Sequence, residues 1–298
     1  MNILSKYFPC RFNKLMLIYR RSNGECCHFW CMRLVSFDVF RALGIPGVQI
    51  IKPEHYFREI NSLCEADRIL FPEYWQINSL IYGLKKRIFP SPASYHLGHN
   101  KIEQTRALLT IVPEHVPHTE ILPASESAVE QILDCFHFPF VAKVVRSSMG
   151  SGVYCIDSRQ DLLRYVKNND VLYVQEYLPI DRDLRIVWVG NQVLTAYWRE
   201  HGNGFHFNVA RGGVINFDHI PVSAIELVTH VATTLGIDHA GFDIAIVNDR
   251  CYILEFNVLF GLEGLNRRGI NYGEHILRYL RDDNSSPTRP VSPRPIAA

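Results

Sequence analysis

The stretch Asp243-Ile-Ala-Ile-Val-Asn-Asp-Arg-Cys-Tyr-Ile-Leu-Glu-Phe-Asn257 constrains the chain more than any other. Residues 244–247 and 251–256 are apolar and β-rich, and they surround Asn248-Asp249-Arg250, which is the pattern of two antiparallel strands and a turn. Side chains alternate along a strand, so Glu255 and Asn257 share a face. Asp243 joins them in only one register. A loop of residues 248–250 sets Val247 opposite Cys251 and Asp243 opposite Glu255; a two-residue loop sets Asp243 opposite Leu254 and splits the acids between faces. The longer loop is therefore expected. Two carboxylates and a carboxamide with no base among them suit a hard cation that takes oxygen ligands, most naturally Mg²⁺ carrying nucleotide phosphates, with Mn²⁺ as its substitute. Spacing alone leaves a solvated acidic edge equally open.

Upstream, the pattern starts as alternating strands and helices. Strands at 15–19, 48–51 and 68–71, with helices over 32–43 and 54–64 between them, describe a small parallel α/β domain that ends near 87–89 and the turn Pro90-Ser-Pro92. Asn100 caps a helix over 101–109, a proline-rich passage covers 112–123, and helices follow at 127–135 and 158–167. Strands fall at 140–145, 153–156 and 171–175, and 184–189 with 192–198 flank Gly190-Asn191 as a hairpin. Ser223 and Glu226 have capping-box spacing at the head of a helix that stops at Gly236. A last helix covers 273–280, and the proline-containing segment 283–298 reads as a disordered tail. The expected organisation is a first domain over 1–96, a second over 97–281 and a tail over 282–298.

Lys plus Arg total 31 against 30 Asp plus Glu, which gives no electrostatic ground for a nucleic-acid or anionic-membrane partner. No apolar run is long enough for a membrane span. Residues 1–19 are broken by Lys6, Pro9, Arg11 and Lys14, unlike a secretory signal, so the eight cysteines are expected reduced in the cytoplasm. Cys26-Cys27-His28 with Cys31 lacks a second pair at zinc-site spacing and reads as ordinary cysteines. The pattern is compatible with a homo-oligomer.

Several polar residues need a chemical reason. Lys143 interrupts the apolar strand 140–145, where an ammonium is costly unless it meets an anion. The loop Arg146-Ser-Ser148-Met-Gly150-Ser-Gly152 can turn backbone N–H groups towards phosphate oxygens, although no P-loop or Gly-x-Gly-x-x-Gly pattern occurs. Arg199, Asn208 and Arg211 stand near Gly212-Gly213, where arginine forks can clamp carboxylate or phosphate.

The order Lys101, Ala-Lys143, Gly-x-Gly, Gln175-Glu176-Tyr177-Leu178, Asp183-Leu-Arg185, Asn208-Val-Ala-Arg211-Gly-Gly213, Asp243 and Glu255-x-Asn257 closely resembles the ATP-grasp superfamily. Within it the chain is similar to the RimK type, the ligases that add glutamate to the C-terminus of a ribosomal protein. The likeness spans roughly 90–280. It implies an ATP-grasp fold of two α+β lobes clasping ATP, preceded by a parallel α/β domain. It also implies an ATP-dependent carboxylate–amine ligase working through an acyl phosphate on a small amino acid and a carboxylate-bearing peptide or metabolite; the alternative is an ATP-binding scaffold without turnover.

By the same resemblance, Lys101 and Lys143 contact phosphates and the loop holding Ser148, Gly150 and Gly152 closes over them. Gln175, Glu176, Tyr177 and Leu178 read the adenine edge, and Asp183 takes the ribose hydroxyls. Arg185, Arg199, Asn208 and Arg211 serve the transferred groups, and Asp243, Glu255 and Asn257 hold one or two Mg²⁺ ions. Val258-Leu259-Phe260 and His206-Phe207 depart from the family's usual smaller or more charged residues, which points to a different acceptor pocket. Arg267 and Arg268 either hold a substrate carboxylate or begin an exposed helix.

Overall fold

The computed structural model describes residues 17–20, 26–29, 32–145, 152–200 and 214–285. A short antiparallel pair, β1 (Leu17–Arg20) and β2 (Cys26–Phe29), precedes a parallel sheet of β3 (Leu34–Ser36), β4 (Val48–Ile50), β5 (Arg68–Leu70) and β6 (Ile88–Phe89), ordered β4-β3-β5-β6. Helix α1 (Ile60–Glu65) lies between β4 and β5 in sequence. The parallel α/β expectation holds in kind, with two corrections. The strand expected at 15–19 pairs with β2 and not with the parallel sheet. The helix expected over 32–43 is absent: Leu34, Val35 and Ser36 are buried between β4 and β5, while Val39, Phe40 and Leu43 are exposed. A short apolar run cannot be assigned by periodicity alone, and here two-sided burial favours the strand.

Helices α2 (Pro92–Gly98) and α3 (Lys101–Ile111) lead into an antiparallel sheet ordered β7-β10-β8-β9, from β7 (Thr119–Pro123), β8 (Phe140–Lys143), β9 (Val153–Ile156) and β10 (Val171–Glu176). The proline-rich passage thus contains a strand. Helices α4 (Glu126–Cys135) and α5 (Arg159–Lys167), capped by Ser125 and Ser158, bury Val129, Ile132 and Leu162 against Phe140, Ala142 and Val174.

The third sheet is antiparallel and ordered β13-β12-β11-β14-β15, from β11 (Arg182–Val189), β12 (Gln192–Glu200), β13 (Val214–Asn216), β14 (His239–Val247) and β15 (Arg250–Asn257). On one face Leu184, Ile186, Phe242, Ile244 and Phe256 pack under α3 and helix α6 (Val222–Leu235). Full burial of each such side chain is worth about 1.5–3 kcal/mol, so this face is firmly committed to the core. Alternation then sends Asp183, Arg185, Tyr197, Arg199, Gly241, Asp243, Glu255 and Asn257 to the opposite face.

The β14–β15 hairpin corrects the expected loop. Val247 pairs with Arg250, leaving a two-residue turn of Asn248 (φ 50) and Asp249 (φ 63), both in the left-handed region that a type I′ turn requires. The register then shifts at Asp243/Ile244: Ile244 faces Ile253, Asp243 faces Glu255, and Leu254 is the extra, bulged residue. The acids therefore share a face because of the bulge and not because of the loop.

Two termini also differ from expectation. α6 begins at Val222 after Pro221, so Ser223 lies inside the helix and not at its cap; Gly236 (φ +68) closes it as expected. Beyond helix α7 (Glu263–Arg267), the last helix, α8 (Tyr272–Ser285), includes residues assigned to the tail. Its Ile276 and Leu280 pack with Leu70 and Phe89 of the parallel sheet, and Asp283 pairs with Arg68 and Arg87. Residues 286–298 and Cys31 lie outside the described residues.

Candidate active site

Helix α3 ties the second and third sheets together. Asn100 caps it, accepting from Ile102 N at 3.0 Å, and so fixes Lys101 at its first turn. Thr105 Oγ1 lies 2.7 Å from Tyr173 Oη on β10. On its other side, Gln104 donates to Phe256 O at 2.8 Å and accepts from Phe256 N at 3.0 Å. These paired bonds clamp β15 between Glu255 and Asn257. Gln104 carried no signal in the sequence, since a helical glutamine is ordinarily solvent-facing.

Between these anchors four charges converge. Lys101 Nζ stands 3.4 Å from Glu255 Oε2. Lys143, 8% exposed, donates to Gln175 Oε1 at 2.6 Å, and Gln175 donates in turn to Thr119 Oγ1 at 2.9 Å. Burial lowers the Lys143 pKa to about 8; Lys101 pushes the same way, and Glu255 and Asp243 oppose it. For Glu255, burial favours the neutral acid, but Lys101 and Lys143 outweigh it and hold the pKa below the ordinary carboxylate value. Asn257 donates to Glu255 Oε1 at 2.9 Å.

Asp243 is the centre of a second charged group. Arg185 Nε lies 2.5 Å and Arg199 Nη2 3.0 Å from its Oδ1, and Arg185 Nη2 donates to Oδ2 at 3.1 Å. Oδ1 is shielded from solvent and meets both guanidinium groups as close ion pairs, not as aligned hydrogen bonds. Arg199 also bridges to Asp183, from Nε to Oδ1 at 2.7 Å and from Nη2 to Oδ2. Burial disfavours charge on Arg199, yet Asp243 and Asp183 outweigh it and raise its pKa further.

The residues present fit Mg²⁺. Among the described residues no group of three His, Cys, Asp or Glu side chains could hold a metal. Two carboxylates and a carboxamide suffice only for an ion that completes its shell with phosphate oxygens and water, which is the habit of Mg²⁺.

Other expected residues fall in different places. Asp183, expected at the ribose, is 2% exposed and faces Arg199. Glu176 N donates to His118 O at 2.9 Å, and Glu176 Oε1 accepts from His118 N at 2.7 Å, so this residue is bound to the chain's own backbone. Tyr177 is exposed just beyond β10, and Leu178 O accepts from Ile180 N at 2.9 Å. Gly152 (φ +85) accepts from Val144 N at 2.7 Å, which closes the base of its loop. Ser148, Gly150, His206, Phe207, Asn208 and Arg211 lie outside the described residues. Val258 and Phe260 are buried, and the Phe260 ring stacks on His239 at 4.7 Å; only Leu259 is exposed. The bulky residues after Asn257 therefore anchor β15 to the core. Arg267 is exposed and pairs with Glu263, and Arg268 lies over the Phe217 ring at 4.5 Å.

Gly241 was not singled out in the sequence. A Cβ there would sit 2.7 Å from Arg185 Nη1 and 2.9 Å from Phe260 Cβ. Its bare backbone lets the Arg185 guanidinium lie across β14. The available signal was its place two residues before Asp243, on the same face.

Comparison with known proteins gives the family and the fold. A family model for the RimK-like ATP-grasp domain matches residues 99–280. A probable alpha-L-glutamate ligase from Enterobacter sp. (strain 638) is 34% identical over 161 residues, covering 51% of this chain and 53% of that protein. A ribosomal protein bS6–L-glutamate ligase of Escherichia coli is 32% identical over 152 residues, covering 48% and 50%. The chain thus spans about half the length of these curated relatives. Among solved structures, the D-alanine–D-alanine ligase of Bacillus anthracis superposes with a TM-score of 0.68 at 14% identity, over 86% of this chain and 99% of that one. The RimK domain ATP-grasp protein of Sphaerobacter thermophilus gives 0.65 at 15%, over 83% and 99%. These two likenesses show the fold, and the family match, which covers more than half of the sequence, shows that the chain belongs to the RimK-like ATP-grasp family.

Proposed function

We propose that this protein is an ATP-dependent carboxylate–amine ligase that forms an amide through an acyl phosphate. The observation that carries the reading is the convergence of Lys101, Lys143, Asp243 and Glu255 between two sheets, with Arg185 and Arg199 beside them. A buried ammonium held by a neutral glutamine is poised for an anion, and a triphosphate supplies one. The carboxylates of Asp243 and Glu255, with Asn257, would hold Mg²⁺, which when bound screens charge on phosphate oxygens.

The chain's own groups then do the positioning. Lys101 and Lys143 hold phosphate oxygens, and the main chain of Tyr177 and Leu178 reads the adenine edge. Arg185 and Arg199, with Arg211 and Asn208 by family resemblance, orient the reacting carboxylate and its phosphate. The substrate carboxylate attacks the γ-phosphate in line and ADP leaves; an amine then attacks the acyl carbon and phosphate leaves. No side-chain nucleophile is needed, so catalysis rests on orientation and charge stabilisation. Because relatives are named as glutamate ligases, glutamate is the first amine to test, with a peptide or a small metabolite as the carboxylate partner.

The cytoplasm is the proposed compartment, and no nucleic-acid or membrane partner is proposed; among the described residues no helix is long and apolar enough to cross a membrane. The deciding experiment is ADP release with mass detection of products across pools of amino acids, dipeptides and peptides. ADP and a product heavier by one amino-acid residue support the ligase. ATP binding without product across these pools favours the scaffold.

A further inference from the structure

Cross-strand register lays one row of side chains over the site face: Glu255 on β15, Asp243 on β14, Arg185 on β11 and Tyr197 on β12, each directly opposite the next. At ordinary strand spacing the row is roughly 15 Å long, enough for a phosphate at the Glu255 end and a carboxylate at the other. Its first three members already have a role. Tyr197 does not. Its ring is fixed from two sides: a Cβ on Gly264 of α7 would stand 2.1 Å from Tyr197 Cε1, and the Phe217 ring meets it edge-on at 5.8 Å. The residue is 4% exposed, yet its hydroxyl makes no hydrogen bond among the described residues, and it is not sealed from solvent as Thr195 Oγ1 is, two residues earlier on the same face. Burial raises the hydroxyl pKa; Arg185 and Arg199 act against that rise, and Asp243 and Asp183 add to it. The group is therefore a fixed neutral donor beside two guanidinium groups.

Those two guanidinium groups are partly committed. Arg185 faces Asp243 with Nε and Nη2, and Arg199 donates from Nε and Nη2 to Asp183 while its Nη2 also meets Asp243. Neither keeps a whole fork for both oxygens of a substrate carboxylate, so a third donor is needed. We infer that Tyr197 is a further substrate-contacting residue: its hydroxyl donates to the carboxylate oxygen that does not attack phosphorus, the one that becomes the acyl carbonyl and carries negative charge when the amine adds. The inference rests on the ligase reading given above, in which this face holds the reacting carboxylate. A neutral donor suits that oxygen. It needs no counter-charge before substrate arrives, and its bond strengthens as the carbonyl oxygen gains charge.

The test uses Tyr197→Phe, which removes the hydroxyl and keeps the ring against Gly264 and Phe217. The probe is acetylphosphonate, an acyl-phosphate analogue that cannot transfer its phosphoryl group, titrated by calorimetry into the full chain loaded with Mg-ADP. Tyr197→Phe should bind the probe about tenfold more weakly than wild type and Mg-ADP within about twofold of it. Thr195→Val removes the sealed hydroxyl on the same face and should change neither affinity. Unchanged probe binding in Tyr197→Phe, an equal loss of Mg-ADP affinity, the same loss in Thr195→Val, or a wild type that does not bind the probe overturns the inference. So does a Tyr197→Phe protein that melts well below wild type, since the hydroxyl then serves the fold. These binding readings do not depend on amide formation. A chain that shows them yet makes no product sinks the ligase proposal and leaves the Tyr197 contact standing. Amide formation by Tyr197→Phe at wild-type kcat and KM does the reverse.

Discussion

Gly241→Ala tests whether the site depends on close approach of Arg185 to bare backbone. The added methyl would stand 2.7 Å from Arg185 Nη1, 2.9 Å from Phe260 Cβ and 3.0 Å from Phe260 Cγ, against ordinary contacts of 3.4 Å or more. Something must move by about half an ångström, and neither neighbour yields easily. Arg185 is tied to Asp243 by contacts of 2.5 and 3.1 Å. Phe260 is buried, stacks on His239, and accepts from Arg41 Nη2 through its carbonyl at 3.0 Å. Overpacking of this kind costs about 1–3 kcal/mol. For a chain of this size that corresponds to a fall in Tm of roughly 2–10 °C.

If Arg185 is the group that gives, Asp243 loses its alignment as well. A misplacement of that order would lower kcat by about tenfold or more. The assays are differential scanning fluorimetry with and without Mg-ATP, and ADP release. Gly83→Ala is the control, because nothing lies within 4 Å of a Cβ there and its stability should stay within about 0.5 kcal/mol of wild type. A Gly241→Ala protein that matches wild type in both Tm and turnover would refute the argument that Arg185 needs this glycine.

Three further outcomes are expected. Glu255→Gln keeps the shape of the Lys101 contact but removes its charge, and turnover should fall by about a hundredfold or more; unchanged amide formation would remove Glu255 from the metal set. Lys143 loses its proton near pH 8, so ATP affinity should weaken as pH rises past 8. The folded chain also binds this proton less tightly than the unfolded one, so the fold should gain stability between about pH 8 and the ordinary lysine value near 10.5. Both trends should flatten in Lys143→Met, as followed by calorimetric Kd and by Tm across that range. Asp283→Asn weakens the shared partner of Arg68 and Arg87 and should lower stability by about 1–3 kcal/mol, measured by denaturant titration; no change would return Asp283 to the surface.

Which residues share the site face was readable because a strand has a period of two and the opposite face is continuous core. Asp183 and Arg185, Gly241 and Asp243, and Glu255 and Asn257 each follow from alternation within a single strand. Relations between strands were not readable in the same way. The hairpin has a loop one residue shorter than expected and a bulge one residue long, and the two differences cancel at Asp243 and Glu255. Asn248 and Asp249, two residues that tolerate left-handed backbone, were the available clue to the shorter turn. Nothing in Leu254 marks it as a bulge.

Charge partnership is more elusive still, because it depends on register in every strand between the partners. Asp183 resembles a nucleotide ligand along the sequence, but the pairing of β11 with β12 sets Arg199 directly opposite and turns its carboxylate inward. Arg185 likewise meets Asp243 only through the β11–β14 register, at the one position where Gly241 leaves room for it. An order of motifs therefore specifies which charges gather on this face, and the bulge and the bare glycine decide which of them neutralise one another before any ligand arrives.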